Sequence, residues 1–146
     1  MTTAQELTVR KTVTVPLAPE RAFELFTERI GEWWPLGRYS IRGDAAETAV
    51  FEPREGGRVY ERTRAGEESE WARVLAYAPP SRFVLAWHVN PSRAATELEV
   101  RFTAADGGTR VDLEHRGWDS EESRSGYDGG WDEVLARYVA AAAAAR

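Results

Sequence analysis

The side chain best suited to acid–base chemistry in this sequence is that of His115. It continues the alternation of Val111 and Leu113, so on a strand its imidazole faces the same side as these two apolar side chains. An imidazole titrates near neutral pH and could act as a general base on an acidic proton within hydrogen-bond reach. No nearby motif supplies a nucleophile, so we favour a structural histidine bonded to a backbone carbonyl or to an inner tyrosine. We assign no catalytic residue.

A second unusual feature is the content of six tryptophans. An indole combines a large apolar area with one polar N–H, so tryptophan gathers in cores and in ligand sites. Core packing is the simpler explanation for each one, and for the adjacent Trp33 and Trp34 we expect one inward side chain and one at a cavity mouth. If a cavity exists, its candidate lining residues are Trp34, Tyr60, Trp71, Trp87, His115, Trp118 and Trp131.

The inward face of the segment 58–64 stays open. Alternate side chains of a strand share a face. If Tyr60 faces inward, Arg58 and Arg62 do so too, whereas if Val59 faces inward, Glu61 does so too. Either alternative places a charged group near the interior, where it needs a partner.

Several kinds of site are excluded or disfavoured. The chain has no cysteine, which excludes disulfides and thiolate chemistry, and its two histidines are too few for most zinc or iron sites unless carboxylates complete the shell. The acidic residues Asp119, Glu121 and Glu122 precede a helix, whose N-terminus negative charge stabilises. No nucleophile elbow, phosphate-binding glycine loop or dinucleotide fingerprint is present. We therefore predict no metal and no cofactor.

Charge and hydropathy limit the partners. A formal net charge of -5 argues against a nucleic-acid binder, which normally carries a basic face. The N-terminus lacks the apolar segment of a signal peptide, and the longest apolar run, 138–145, is far shorter than the roughly 20 residues of a membrane span. We expect a cytoplasmic protein without a membrane partner.

Hydrophobic periodicity predicts the elements that position these residues. Alternation marks a first strand over 5–15, Pro19 suits the first turn of a helix that reaches Ile30, and a second short helix carries Trp33 and Trp34 up to Pro35. A surface loop over 36–46 follows. An apolar stripe from Tyr127 to Val139 indicates a long C-terminal helix. Six further strands are predicted over 48–52, 58–64, 68–77, 82–89, 96–104 and 109–116.

The order of these elements predicts an α+β fold in one domain, 1–146, with its core over about 7–139. The short connections require an antiparallel sheet of about six or seven strands, and its apolar face needs a cover. The long C-terminal helix is the element able to cover it, with two short helices after the first strand. A curved sheet that wraps around one helix leaves a gap, which is a natural ligand cavity.

An ordered set of short motifs resembles one bacterial family, the homologues of the heat-shock-protein ATPase activator, within the START-like, birch-pollen-allergen-like superfamily. The resemblance spans about 7–138 and implies the helix-grip fold. Four segments, including the tryptophan pair and the strand with His115, are most similar to family members that give self-sacrifice resistance to an enediyne antibiotic. The motifs are Glu32-Trp33-Trp34-Pro35, Gly56-Gly57-Arg58, Pro79 before Phe83-Val84-Leu85-Ala86-Trp87, Gly108-Thr109-Arg110-Val111, and Gly130-Trp131 with Leu135.

The resemblance implies three functions, because one fold serves many activities. The first is binding of a small hydrophobic or polyaromatic metabolite between sheet and helix, for transport, sequestration or resistance. The second is a chaperone-associated or other protein-interaction module, with an exposed apolar patch. The third is a cyclase-like or hydrolase-like enzyme in the same cavity. A monomer and a homodimer both remain compatible with the sequence.

Overall fold

The computed structural model describes residues 7–90 and 94–146. Within these ranges, seven strands form one antiparallel sheet in the order β1-β7-β6-β5-β4-β3-β2. The helices are α1 (Pro19–Phe26) and α2 (Glu121–Ala145), with 3₁₀ turns at Ile30–Glu32 and Gly43–Ala45. The strands are β1 (Val9–Val15), β2 (Ala46–Phe51), β3 (Arg58–Thr63), β4 (Glu68–Ala78), β5 (Arg82–Trp87), β6 (Thr96–Ala105) and β7 (Gly108–Arg116). The helix-grip architecture is confirmed, while the predicted strand start at 5–6 lies outside the described residues.

The first and last strands of the chain are neighbours in the sheet. β1 pairs antiparallel with β7, with Val9 opposite His115 and Val13 opposite Val111. Gly108 begins β7 where the two backbones approach closely, because a Cβ at this position would lie 2.0 Å from the carbonyl oxygen of Val15. Through this pairing, β1 extends the inner face of the sheet beyond β7.

The first helix is shorter than its periodicity predicts. α1 begins at Pro19, as expected, but ends at Phe26, where the Thr27 hydroxyl donates to the Phe23 carbonyl oxygen at 2.8 Å. The expected second helix is only the 3₁₀ turn Ile30–Glu32, and Trp33 and Trp34 follow it rather than lying on it. The change of direction directs both indoles inward, where both are buried.

The apolar stripe of α2 packs on the sheet as predicted. Trp131, Leu135 and Tyr138 are buried, and the Tyr138 hydroxyl donates to the Ala22 carbonyl oxygen at 2.8 Å, which ties α2 to α1. Near its start, α2 is held by Lys11 of β1, whose ammonium lies 2.9 Å from Asp132 and also contacts Asp128. Lys11 therefore joins the first half of α2 to β1.

The outer face of the sheet carries a buried carboxylate. Glu99 on β6 is 5% exposed and accepts hydrogen bonds from Arg82, Arg101 and Arg116. Burial alone would raise its pKa, but the hydrogen bonds of the arginines lower the pKa of Glu99 to about 2.

No helix in the described ranges is both long and apolar enough to cross a membrane.

Candidate functional site

A cavity of about 590 Å³ lies between the sheet and the first half of α2. The ends of β4 and β5 form its floor, and the segment 36–45, which we call the cavity loop, contributes Tyr39, Ser40 and Ile41 to its rim. The N-terminal half of α2 closes the opposite side. The tryptophans of its wall are Trp34, Trp71, Trp87, Trp118 and Trp131.

The indole N–H of every one of these five tryptophans donates to a group of the protein itself. Trp34 donates to the Tyr39 carbonyl oxygen at 2.8 Å, and Trp87 donates to the Tyr127 hydroxyl at 3.3 Å. The remaining acceptors are Glu61 for Trp71, the His115 carbonyl oxygen for Trp118 and His115 Nδ1 for Trp131. Because an indole carries one donor, the wall contributes apolar ring surface rather than further hydrogen bonds.

Three of the other tryptophan rings surround Trp34, tilted or edge-on to it. Its ring centre lies 4.9 Å from that of Trp71 and 5.9 Å from that of Trp131, the latter at an interplanar angle of 87°. Trp87 lies 5.9 Å from Trp131. Such tilted and edge-on pairs stabilise one another and hold each ring in place. A planar ligand would therefore meet a rigid aromatic surface.

His115 supports this wall but is not part of it. It is fully buried, its Nδ1 accepts the indole N–H of Trp131 at 3.0 Å, and its Nε2 lies 2.7 Å from the Thr96 hydroxyl. Since an indole can only donate, Nδ1 carries no proton, and the neutral ring donates from Nε2 to Thr96. Burial, together with the charge of Arg116, lowers the pKa of His115 to about 3. The structure thus places it as a neutral support, with Trp131 and Thr96 in place of the expected carbonyl or tyrosine.

Tyr60, which the sequence suggested as a lining residue, does not line the cavity. β3 directs Val59 and Glu61 inward, and the ring of Tyr60 packs under the Arg58 guanidinium at 4.2 Å. The open question about 58–64 is answered by this orientation. A bulge between Val59 and Tyr60 shifts the pairing with β4 at the same point.

Glu61 fastens the cavity loop to the sheet. Its buried carboxylate accepts the backbone N–H of Ile41, the backbone N–H of Arg42 at 2.8 Å and the indole N–H of Trp71 at 2.6 Å. Three donors compensate for the loss of water around the charge. The same carboxylate therefore fixes one wall residue and one side of the rim.

A second contact fastens the cavity loop to α2. Glu133 accepts hydrogen bonds from the Tyr39 hydroxyl and the Arg38 guanidinium, each at 2.7 Å. Gly130 lies beside this contact, where an added Cβ would be 3.4 Å from the Tyr39 ring, an ordinary contact distance. Gly130 faces the cavity loop rather than the sheet.

The sequence missed several polar residues of the cavity. His88, Asn90, Ser120, Glu122 and Tyr127 all line it. Tyr127 alone carried a usable signal, because it begins the stripe that contains Trp131 four residues later. His88 is half-buried, with its Nε2 2.6 Å from a Glu70 oxygen. Across 7–90 and 94–146, no three His, Asp or Glu side chains are grouped to hold a metal ion.

A curved antiparallel sheet that holds one long C-terminal helix over a cavity defines the START-like, helix-grip class of proteins. Residues 16–143 match the family model described as "Activator of Hsp90 ATPase homolog 1-like protein", so this chain belongs to that family. The comparison with curated proteins gives no match.

Three solved structures illustrate the range of similar proteins. An anthrahydroquino-γ-pyrone synthase, Txn09, is 36% identical over 74% of this chain and 75% of its own, with a TM-score of 0.55. The Aha1 dimer from Colwellia psychrerythraea is 14% identical over 92% and 95%, with a TM-score of 0.70. CalU16 from Micromonospora echinospora is 21% identical over 88% and 69%, with a TM-score of 0.60. The last two likenesses concern the fold alone.

Proposed function

We propose that this protein binds a planar, polycyclic aromatic small molecule in the cavity under α2. The observation that carries the proposal is the wall of five tryptophans whose N–H groups are already bonded within the protein. The volume of about 590 Å³ lies within the roughly 300–1,000 Å³ of sites for drug-sized ligands. Burial of apolar ligand surface supplies roughly 25 cal/mol per Å² before the costs of ordering and desolvation.

The similarity to Txn09 supports the same class of ligand. The name of that synthase describes a molecule with fused aromatic rings, and it shares 36% of its residues with this chain over the matched region. Transport, sequestration and resistance that acts by sequestration all require binding without chemistry. The neutral, fully bonded His115 agrees with such a role, because it offers no base to a ligand.

The direct test is native mass spectrometry of gently purified protein, followed by equilibrium dialysis against xanthone, a planar three-ring ketone. We expect an additional mass that is lost on denaturation, or saturable one-to-one binding of xanthone. A bare chain mass together with no saturable binding contradicts the proposal.

A second candidate function is ring closure, which the identity with an anthrahydroquino-γ-pyrone synthase favours. His115 could not be its base, so the acid–base groups would come from His88, Glu122 or Tyr127 of the wall. The test is incubation with an anthrahydroquinone that carries a 1,3-diketone beside a phenol. Closure to the γ-pyrone joins the phenol oxygen to the distal carbonyl carbon and releases water, so the product is one water lighter.

The interaction module receives less support. It requires an exposed apolar patch, but Trp33 and Trp34 are both buried. Among the described residues, the large apolar side chains with substantial exposure are Ile41 and Leu75, on the cavity loop and on β4. The open cavity between sheet and helix agrees better with a small-molecule ligand.

A further inference from the structure

Stacking against aromatic rings does not orient a flat ligand within their plane. The polar groups of the wall therefore determine which hydrogen-bonding substituents the ligand should have. Several hydroxyl groups of the wall already donate their hydrogen within the protein. The Tyr39 hydroxyl donates to Glu133 at 2.7 Å, the Ser40 hydroxyl donates to the Leu36 carbonyl oxygen, and Ser120 donates to Ser123. The hydrogens of these hydroxyl groups already have acceptors within the protein, so they are not available to a ligand.

The Tyr127 hydroxyl differs from them. It accepts the indole N–H of Trp87 at 3.3 Å, and because an indole nitrogen only donates, this bond uses a lone pair of the tyrosine oxygen. The hydroxyl hydrogen finds no acceptor among the residues that the structure describes. A phenol O–H without an acceptor inside a cavity is a donor that a ligand can satisfy.

The position of Tyr127 places this donor among the aromatic rings. Its ring centre lies 4.3 Å from that of Trp118 and 5.5 Å from that of His115, and both Tyr127 and Trp87 line the cavity. Gly126, beside it on α2, also lines the cavity, and a Cβ there would meet nothing within 4 Å. The space next to the phenol is therefore open to a ligand.

We propose that Tyr127 donates a hydrogen bond to a carbonyl oxygen of the bound aromatic molecule, so that the site selects aromatic ketones and quinones over hydrocarbons of the same shape. This inference rests on the proposed function and names the chemical class of its ligand. The tryptophans supply the stacking surface, and Tyr127 supplies the specificity for the carbonyl group.

The test compares xanthone with xanthene, which has the same three-ring skeleton but a CH₂ group in place of the carbonyl. Equilibrium dialysis gives the dissociation constants of both probes for the wild type and for Tyr127→Phe. We expect the preference for xanthone to fall by about threefold to tenfold in the variant, the range of one neutral hydrogen bond. Any general effect of the lost Trp87 contact acts on both probes and cancels in the ratio.

Tyr60→Phe is the matched control, because it removes a tyrosine hydroxyl that does not line the cavity. An unchanged preference in Tyr127→Phe, or an equal fall in Tyr60→Phe, overturns the inference and leaves the proposed function standing. Absence of saturable binding of both probes to the wild type overturns this inference, and if native mass spectrometry also gives a bare chain mass, the proposed function falls with it.

Discussion

The indole nitrogen of Trp131 lies 3.0 Å from Nδ1 of His115, and this hydrogen bond joins the middle of α2 to the end of β7. The bond requires an unprotonated Nδ1, and burial holds the pKa of His115 at about 3. The same residue in the unfolded chain has an ordinary pKa near 6.5. Protonation of His115 therefore favours the unfolded chain.

The first prediction concerns stability between pH 6.5 and pH 5. In this window the unfolded chain binds more protons at His115, so the free energy of unfolding should fall as pH falls, by up to about 1.4 kcal/mol per pH unit. Urea unfolding at pH 7.5, 6.5, 5.8 and 5.0 measures the slope. Glu99, whose pKa is lowered to about 2, adds a loss of stability as pH falls through the ordinary carboxyl range, roughly from pH 5 down to pH 2, so it contributes little above pH 5.

His115→Gln is the control for this prediction, since glutamine does not titrate and its slope in the same window should be much smaller. If the variant folds poorly, an NMR titration of the wild type replaces it. The His115 ring protons should keep their chemical shifts from pH 8 to pH 5, and a titration midpoint above pH 5.5 would contradict the lowered pKa of His115.

The second prediction separates wall from core among the tryptophans. Trp131 lines the cavity, whereas Trp33 packs against Phe26 and Tyr138 and donates to the Leu25 carbonyl oxygen. Trp131→Ala should weaken xanthone binding by about tenfold or more, while Trp33→Ala should change it much less. Equilibrium dialysis measures both, after circular dichroism has shown that each variant is folded.

Both alanine variants remove a buried indole and should lose about 3–5 kcal/mol of stability. Trp131→Phe and Trp33→Phe retain an aromatic ring and serve if the alanine variants unfold. Equal affinities of the two folded variants would show that Trp131 does not contact the ligand.

The strands and α2 could be predicted because periods of two and of 3.6 residues record which face is buried. The same logic fails where a charged residue belongs inside. On β3, the correct inward set contains Glu61, whose three donors come from β4 and the cavity loop. The cavity loop has no periodicity, so the partners that make this orientation stable could not be predicted.

The parts of the site that sequence could not predict depend on contacts between distant residues. His115 was correctly placed on the inner face, but its partner Trp131 lies on another element. The erroneous choice of Tyr60 has the same origin, because the aromatic character of a side chain does not reveal which face of a strand it occupies. Tyr127 could be assigned to a helical stripe from the sequence. Its hydrogen bond with Trp87, which identifies its hydroxyl as a free donor, depends on the fold.

The third prediction tests the attachment of the cavity loop. Glu61→Gln replaces two acceptor oxygens by one and places an amide N–H₂ against backbone N–H groups, which should cost about 2–3 kcal/mol of stability. Hydrogen exchange followed by mass spectrometry should show faster exchange over 36–45. Glu47→Gln, on the exposed side of β2, is the control and should leave the exchange of the cavity loop unchanged. Unchanged exchange in Glu61→Gln would mean that the other contacts of the cavity loop, including those of Glu133 and Trp34, hold it without Glu61.

The fourth prediction uses two glycines of α2 that differ in one respect. A Cβ at Gly126 or at Gly129 would meet nothing within 4 Å, but only Gly126 lines the cavity. Since glycine costs up to about 1 kcal/mol in a helix interior, Gly126→Leu and Gly129→Leu should each raise the thermal unfolding midpoint by a few degrees. Leucine at 126 should also occupy cavity space and weaken xanthone binding by about tenfold, whereas leucine at 129 should not. Undiminished binding by a stabilised Gly126→Leu would place the ligand away from the N-terminal half of α2.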